Sequence, residues 1–296
     1  MRAGAERSPE AAVRVLVTGA RGMLGHAVVA EAAARGHDVD ARGRDTLDIT
    51  DVESVARALT AVRPDVVVNC AAWTDVDGAE TAEEDARAIN ATGAGNLATA
   101  AAKAGAFLVH VSTDYVFDGA SKRGGAWVES DPVAPLGAYG RTKLEGEQLV
   151  QAAGADHAIV RTAWLFGPGG RNFVDTMLRL GAERDELQVV ADQIGCPTYT
   201  GHLAEALLTI AERRLTGIHH AAGRGACSWF DLALATFEAT GTRVRVTPVT
   251  TEAFPRPAAR PAWSVLGSER PDAVRLPDWR EGLRAHLTTT ATEVPA

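Results

Sequence analysis

The segment Tyr139-Gly140-Arg141-Thr142-Lys143 sets a phenol and an ammonium four residues apart. On a helix, positions i and i+4 share one face, so the two groups point the same way. Such a pair suits protonation of an alkoxide, the species left when hydride adds to a ketone. A phenol ordinarily ionises near pH 10, a poor match to neutral pH. An ammonium about 4 Å away contributes on the order of 4 kcal/mol at an effective dielectric of 20, at most roughly three pKa units. The same amine can donate to a bound ribose. Scarcity sharpens the signal, because Lys103, Lys122 and Lys143 are the only lysines among 30 basic residues and the chain has three tyrosines. A merely solvated lysine on an exposed helix face is therefore the weaker reading.

Two further segments fit the same chemistry. Ser112-Thr113-Asp114-Tyr115-Val116-Phe117-Asp118-Gly119 follows an apolar run and sits where a strand should end. Open parallel sheets bind ligands at that edge, and Thr113 could give the alkoxide a second hydrogen bond. The bland reading is a hydroxyl that satisfies its own backbone. Gly19-Ala20-Arg21-Gly22-Met23-Leu24-Gly25 has the spacing G-x-x-G-x-x-G, which alone is weak. Its place between a strand and a helix strengthens it, since glycines there let a pyrophosphate approach the free N–H groups of the helix start. The second strand should end beside an adenosine ribose. Asp38 and Asp40 suit a 2′-hydroxyl, while Arg42, Arg44 and Arg21 suit a 2′-phosphate. The arginines favour NADPH, with NADH the alternative.

These groups need a frame. Strands are expected at Val13–Thr18, 38–41, 65–72 with its exit loop, 106–112 and 157–161. Helices are expected at 25–35, 52–62, 82–103 and 139–153. The alternation predicts an α/β fold, a Rossmann-like doubly wound parallel sheet over residues 13–165. Beyond 165 Pro and Gly become frequent, and Phe254-Pro255-Arg256-Pro257-Ala258-Ala259-Arg260-Pro261 cannot be a helix interior. Residues 166–296 are expected to form a smaller, partly interleaved substrate lobe, some of whose segments return to the first domain. Residues 1–12 read as a disordered tail.

Composition narrows the class. A net charge of −8 argues against a nucleic-acid partner. There is no apolar run of about 18 residues for a membrane span. The first twelve residues lack an apolar signal core, which leads to a cytoplasmic expectation. Cys70, Cys196 and Cys227 have no metal-ligand spacing and read as buried thiols. His219-His220, adjacent on a strand, point to opposite faces and read as structural.

Taken together, these segments resemble the extended short-chain dehydrogenases/reductases and, among them, the dTDP-4-dehydrorhamnose reductase family. The likeness runs from Val13 to about Leu287. It includes the glycine loop, 47–51, 69–77, 112–119, 139–143, 161–167, 192–198, 260–266 and 278–280. The resemblance implies reduction of dTDP-4-dehydro-6-deoxy-L-mannose to dTDP-L-rhamnose. By position it implies a cofactor lining of Gly19, Arg21, Gly22, Met23, Leu24, Gly25, Arg44, Asp48, Ile49, Ala71, Ala72, Trp73 and Thr74, with Tyr139 and Lys143. Thr113, Tyr139 and Lys143 would be the catalytic set. Thr113, Asp114 and Trp164 would touch the sugar nucleotide, with Asn172 and Arg256 as further candidates. Trp263 stands where the family commonly has Tyr, and Leu266-Gly267-Ser268 where an Asp usually follows the Leu. A homodimer fits the resemblance. The glutamates that bridge a metal in some members do not map here, so no metal is expected.

Rival readings share the fold. A nucleotide-sugar dehydratase would need Asp-Glu after the threonine, and Asp114 is followed by Tyr115. A 4-epimerase remains open, as does a reductase of another dTDP-4-keto-6-deoxy sugar. The regulatory subunit of methionine adenosyltransferase resembles the same family without being an enzyme, and the intact Thr113, Tyr139 and Lys143 set weighs against it.

Overall fold

The computed structural model describes residues 12–120, 122 and 124–293. The tail expected at 1–12 lies, but for Ala12, outside the described residues. Five parallel strands form first along the chain: β1 (Arg14–Thr18), β2 (Asp38–Arg42), β3 (Val66–Asn69), β4 (Phe107–Thr113) and β5 (His157–Thr162), all largely buried but the edge strand β2. Between them run α1 (Met23–Ala34), α2 (Val52–Val62), α3 (Val76–Ala79), α4 (Glu83–Arg87), α5 (Ala94–Ala104) and α6 (Ala138–Ala152).

After β5 the chain forms β6 (Leu165–Phe166), α7 (Phe173–Glu183), β7 (Glu186–Val190), β8 (Ile194–Gly195), β9 (Thr198–Tyr199) and α8 (Thr200–Glu212). It ends with β10 (Gly217–His220), β11 (Cys227–Ser228), α9 (Trp229–Thr240), β12 (Arg245–Val249) and α10 (Trp279–Glu293).

The main sheet is parallel with the order β10-β5-β4-β3-β1-β2. Alternation along each strand divides the core between two faces. Val15, Val17, Val66, Val68, Phe107, Val109, Ala158 and Val160 pack with α1 and α8. Leu16, Val67, Leu108 and Ile159 face α2 and α5. Strand order reverses at β1, so a crevice opens beyond the carboxyl ends of β1 and β3, where such sheets take ligands. Thr113 ends β4 in register with Thr162 of β5.

The chain after β5 divides its segments. β12 pairs with β7 beside α7 and α9, around Met177, Leu187, Val189, Ala233 and Phe237. α8 packs on α1, and β10 becomes an edge strand of the main sheet. His219 and His220 on β10 bond to backbone carbonyls, His219 to Leu215 at 3.1 Å and His220 to Gly267 at 2.9 Å.

The single helix expected over 82–103 is broken. A π-helical turn, Ala88–Gly93, separates α4 from α5. It aims the buried Asn90 across the crevice, where its Oδ1 accepts from Trp73 N at 2.9 Å and its Nδ2 donates to Thr142 Oγ1 at 3.1 Å. Such bulges reposition one side chain within an otherwise regular helix.

Candidate active site

The glycine loop caps the crevice. Gly19 has φ 65°, and a Cβ there would lie 2.6 Å from Ala71 N. A Cβ on Gly25 would lie 2.2 Å from Gly19 O. Backbone occupies both places, so glycine is required at 19 for the β1 loop to lie against the β3 loop and at 25 for α1 to lie against the β1 loop. Gly22 is the N-cap of α1 and supplies no side-chain cap, which leaves amides of the first helical turn open toward the crevice. That is the backbone cradle a pyrophosphate needs.

The adenosine end is partly committed elsewhere. Arg42 pairs with Asp40 at 2.9 Å between Nη2 and Oδ2, and Arg21 with Asp45 at 2.7 Å. Arg44 is exposed. Asp48 accepts the hydroxyl and amide of Thr50, which hold its carboxyl below the usual range. Ile49 is buried, while Ala71, Ala72 and Trp73 are half-buried beyond β3 and Thr74 is exposed. Met23 and Leu24 open α1.

Tyr139 and Lys143 lie on α6, which crosses the end of β4. Gly140 permits the crossing, because a Cβ there would lie 2.3 Å from Tyr115 O. Glu80 Oε1 accepts from Ala138 N at 2.8 Å and caps the helix start. The Thr113 side chain acts on the Tyr139 phenol from the end of β4 and favours its ionised form. Its ring meets Tyr115 edge to face at 5.4 Å. Burial pushes the phenol up to about 12, against the lowering effect of Thr113. The expected depression by Lys143 is not what the geometry delivers. Lys143 is 2% exposed and spends one N–H on Val111 O at 2.7 Å. Burial lowers that ammonium to about 8. Burial thus favours the protonated phenol and makes the ammonium easier to lose.

Asp114 is 2% exposed, and its Oδ1 accepts from Thr113 Oγ1 at 3.1 Å. Burial raises it to about 6, with the hydroxyls of Ser264 and Thr113 opposing. Trp164 follows β5 with φ 47°, a left-handed conformation that costs a residue with a side chain about 1–2 kcal/mol. Two contacts hold it there: its carbonyl accepts from Thr198 N at 3.1 Å, and its indole stacks on Trp229 with centroids 3.5 Å apart and planes at 4°.

With this geometry in view, comparison with known proteins is decisive. The family model described as RmlD substrate binding domain matches residues 13–292. A dTDP-4-dehydrorhamnose reductase of Mycolicibacterium smegmatis is 49% identical over 279 residues, 92% of this chain and 84% of that protein. This chain belongs to the dTDP-4-dehydrorhamnose reductase family. A Streptomyces antibioticus relative, named probable dTDP-4,6-dihydroxy-2-methyloxan-3-one 4-ketoreductase, is 45% identical, covering 92% of this chain and 94% of that one. The crystal structure of dTDP-4-dehydrorhamnose reductase from Bacillus anthracis, in complex with NADP, superimposes with a TM-score of 0.91 at 40% identity, covering 94% of this chain and all of that one.

Within this family member, two substrate-side candidates have other work. Asn172 is the N-cap of α7: its Oδ1 accepts from Asp175 N at 2.9 Å and its Nδ2 donates to Gly167 O at 3.0 Å. Arg256 is 63% exposed and reaches Asp77 at 4.0 Å, a residue Arg260 already holds at 2.9 Å. Of the departures from the family pattern, Trp263 donates to Gly125 O at 2.7 Å, and Ser268 donates to Glu129 at 2.5 Å. Sequence reasoning missed Asn90, Glu80, Trp229 and the buried group of Glu147, Arg161 and Ser112. Only Glu147 left a readable sign, four residues beyond Lys143 on the same helical face.

Among the described residues, no helix is long and apolar enough to cross a membrane, and no three His, Cys, Asp or Glu side chains could hold a metal ion.

Proposed function

We propose that this chain reduces the 4-keto group of dTDP-4-dehydro-6-deoxy-L-mannose to give dTDP-L-rhamnose, with NADPH as the reductant. When bound, the nicotinamide supplies the hydride. The open helix start behind Gly22, the close approach at Gly19 and Gly25, and the flanking residues Met23, Leu24, Ile49 and 71–74 suit a dinucleotide. Arg21 and Arg44 suit its 2′-phosphate, and NADH is the alternative.

The chain's own groups handle the proton and the orientation. Tyr139 gives its proton to the alkoxide oxygen. Burial keeps the phenol protonated across the neutral range, so the proton is in place when charge develops. Thr113 gives the same oxygen a second hydrogen bond by turning its one hydroxyl hydrogen away from Asp114. Lys143 keeps two N–H donors beyond the one on Val111, which suit the ribose. At neutral pH Asp114 is a carboxylate, an acceptor for a sugar hydroxyl. Trp164 provides a flat wall for the sugar.

One observation carries the reading: Tyr139 and a buried Lys143 one turn apart on α6, packed against the carboxyl edge of β4 where Thr113 sits, in a chain of this family. The Streptomyces antibioticus relative favours a second reading, in which the substrate is another dTDP-4-keto-6-deoxy sugar. We infer a cytoplasmic enzyme, consistent with three free cysteines, and a homodimer as the working assembly. Purified protein offered a panel of dTDP-4-keto-6-deoxy sugars tests all of this. Stoichiometric NADPH oxidation, fastest with the rhamnose precursor, is expected. Sugar interconversion without net NADPH loss would indicate an epimerase, and no turnover with any sugar a binding subunit.

A further inference from the structure

Lys143 is buried, and a buried ammonium persists only where a compensating charge or dipole faces it. Several groups surround it. Val111 of β4 offers its carbonyl at 2.7 Å. Cys70, beyond β3, is a thiol that burial pushes up to about 12, so it is neutral. His110 of β4 is held far below its ordinary range by burial and by Lys143 itself, so it too is neutral. The remaining group is Glu147, one turn further along α6, whose negative charge favours the ammonium.

Glu147 is itself 2% exposed and fully engaged. Ser112 Oγ donates to its Oε1 at 2.5 Å. Arg161 clamps it in two places, Nε to Oε1 at 2.9 Å and Nη2 to Oε2 at 2.7 Å. Ser112 immediately precedes Thr113 on β4. Arg161 immediately precedes Thr162, the register partner of Thr113 on β5. One carboxylate thus ties the helix that carries Tyr139 and Lys143 to both strands that position Thr113. Beyond Arg161 lie the ring of Phe117 at 5.2 Å, His220 of β10, which burial keeps neutral, and Glu129, which accepts Ser268 Oγ.

We propose that Glu147 is a positioning residue for the reduction: it holds Lys143 in the ammonium form at neutral pH and fixes α6 against β4 and β5, so that the working line is Tyr139, Lys143 and Glu147. This rests on the role given above to Lys143. Burial lowers Lys143, and Glu147 is the largest influence opposing that fall.

The chain has three lysines, so isotopically labelled lysine side chains give three NMR signals that Lys143→Arg assigns. In the NADPH-free protein the Lys143 signal should titrate near pH 8. In Glu147→Gln the midpoint should fall by about one pH unit. The protonated fraction at pH 8 then drops from about a half to about a tenth, so reductase activity should fall about fivefold at pH 8 and little at pH 6. Glu147→Asp should restore both. The glutamine variant leaves Arg161 buried and unpaired, which can unfold a protein. The double variant Glu147→Gln with Arg161→Met removes both charges of the pair; its Lys143 midpoint should also fall, by less than in the single variant, where the unmatched Arg161 adds to the effect. An unmoved Lys143 midpoint in a folded variant, or an activity loss equal at all pH values, would overturn the proposal. A displaced midpoint with an unchanged pH profile would instead uphold the effect of Glu147 on Lys143 and sink the catalytic role of Lys143.

Discussion

Replacing Lys143 with methionine should abolish turnover and at the same time stabilise the protein at neutral pH. The magnitude follows from the burial of the amine. Its ammonium is lowered from 10.5 to about 8, a fall of about 2.5 pH units, which at about 1.4 kcal/mol per unit amounts to roughly 3 kcal/mol of stability lost at pH 7. Methionine removes that loss and fits a similar volume. It also leaves the Val111 carbonyl without its partner, which costs about 1–3 kcal/mol. The net gain is about 1 kcal/mol, or a few degrees in melting temperature for a chain of this size. The sign of its pH dependence is fixed. The unfolded chain binds more protons at this site than the folded one between about pH 8 and 10.5, so wild-type stability rises through that window. The advantage of the variant should be greatest below about pH 8 and should shrink as pH approaches 10. Urea titrations of both proteins at pH 7 and pH 10 measure it. A variant less stable at pH 7, with a gap that does not change with pH, would refute the account of a desolvated, functionally retained ammonium.

Asp114→Asn should stabilise the protein above about pH 6, because burial raises this acid from 3.8 to about 6 and its ionisation opposes folding. The gain is at most about 3 kcal/mol at pH 7 and vanishes below about pH 4, as denaturant titrations across that range would show, while KM for the sugar nucleotide rises. Gly140→Ala places a methyl 2.3 Å from the Tyr115 carbonyl, so α6 must shift outward; kcat should fall at least about tenfold with the melting temperature lowered by only a few degrees.

The sequence told more about the sheet than about its connections. β1, β3 and β4 are runs of apolar, mostly β-branched residues whose burial on both faces leaves little ambiguity. The Tyr139–Lys143 spacing was legible because both ends sit on one helix, and the glycine loop because two of its glycines answer to backbone contact. The break at Ala88–Gly93 was not legible: an alanine-rich helix carries little amphipathic signal to interrupt, and the turn is recognised by what Asn90 reaches, not by its own residues. β10 joins β5 only because a chain 55 residues later in sequence returns to the sheet edge; its Gly217-Ile218-His219-His220 has no apolar alternation of its own. Asn172 shows a different limit. It is a substrate candidate by family resemblance alone, and its helix N-cap bonds are visible only in the structure. The ionisation of Tyr139 is hidden for a related reason, since spacing reveals the charge of Lys143 but not the burial of Lys143 or of the phenol end of Tyr139.

The central claim is that Tyr139 delivers the proton in a 4-keto reduction. Tyr139→Phe removes one oxygen from a half-buried ring and leaves α6 and the glycine loop in place. With dTDP-4-dehydro-6-deoxy-L-mannose, the variant should bind NADPH with near wild-type affinity and oxidise it at least about a hundredfold more slowly, since a positioned general acid contributes about 10²–10⁴. Near-full NADPH oxidation by the folded variant would contradict the assignment of Tyr139 and the mechanism built on it.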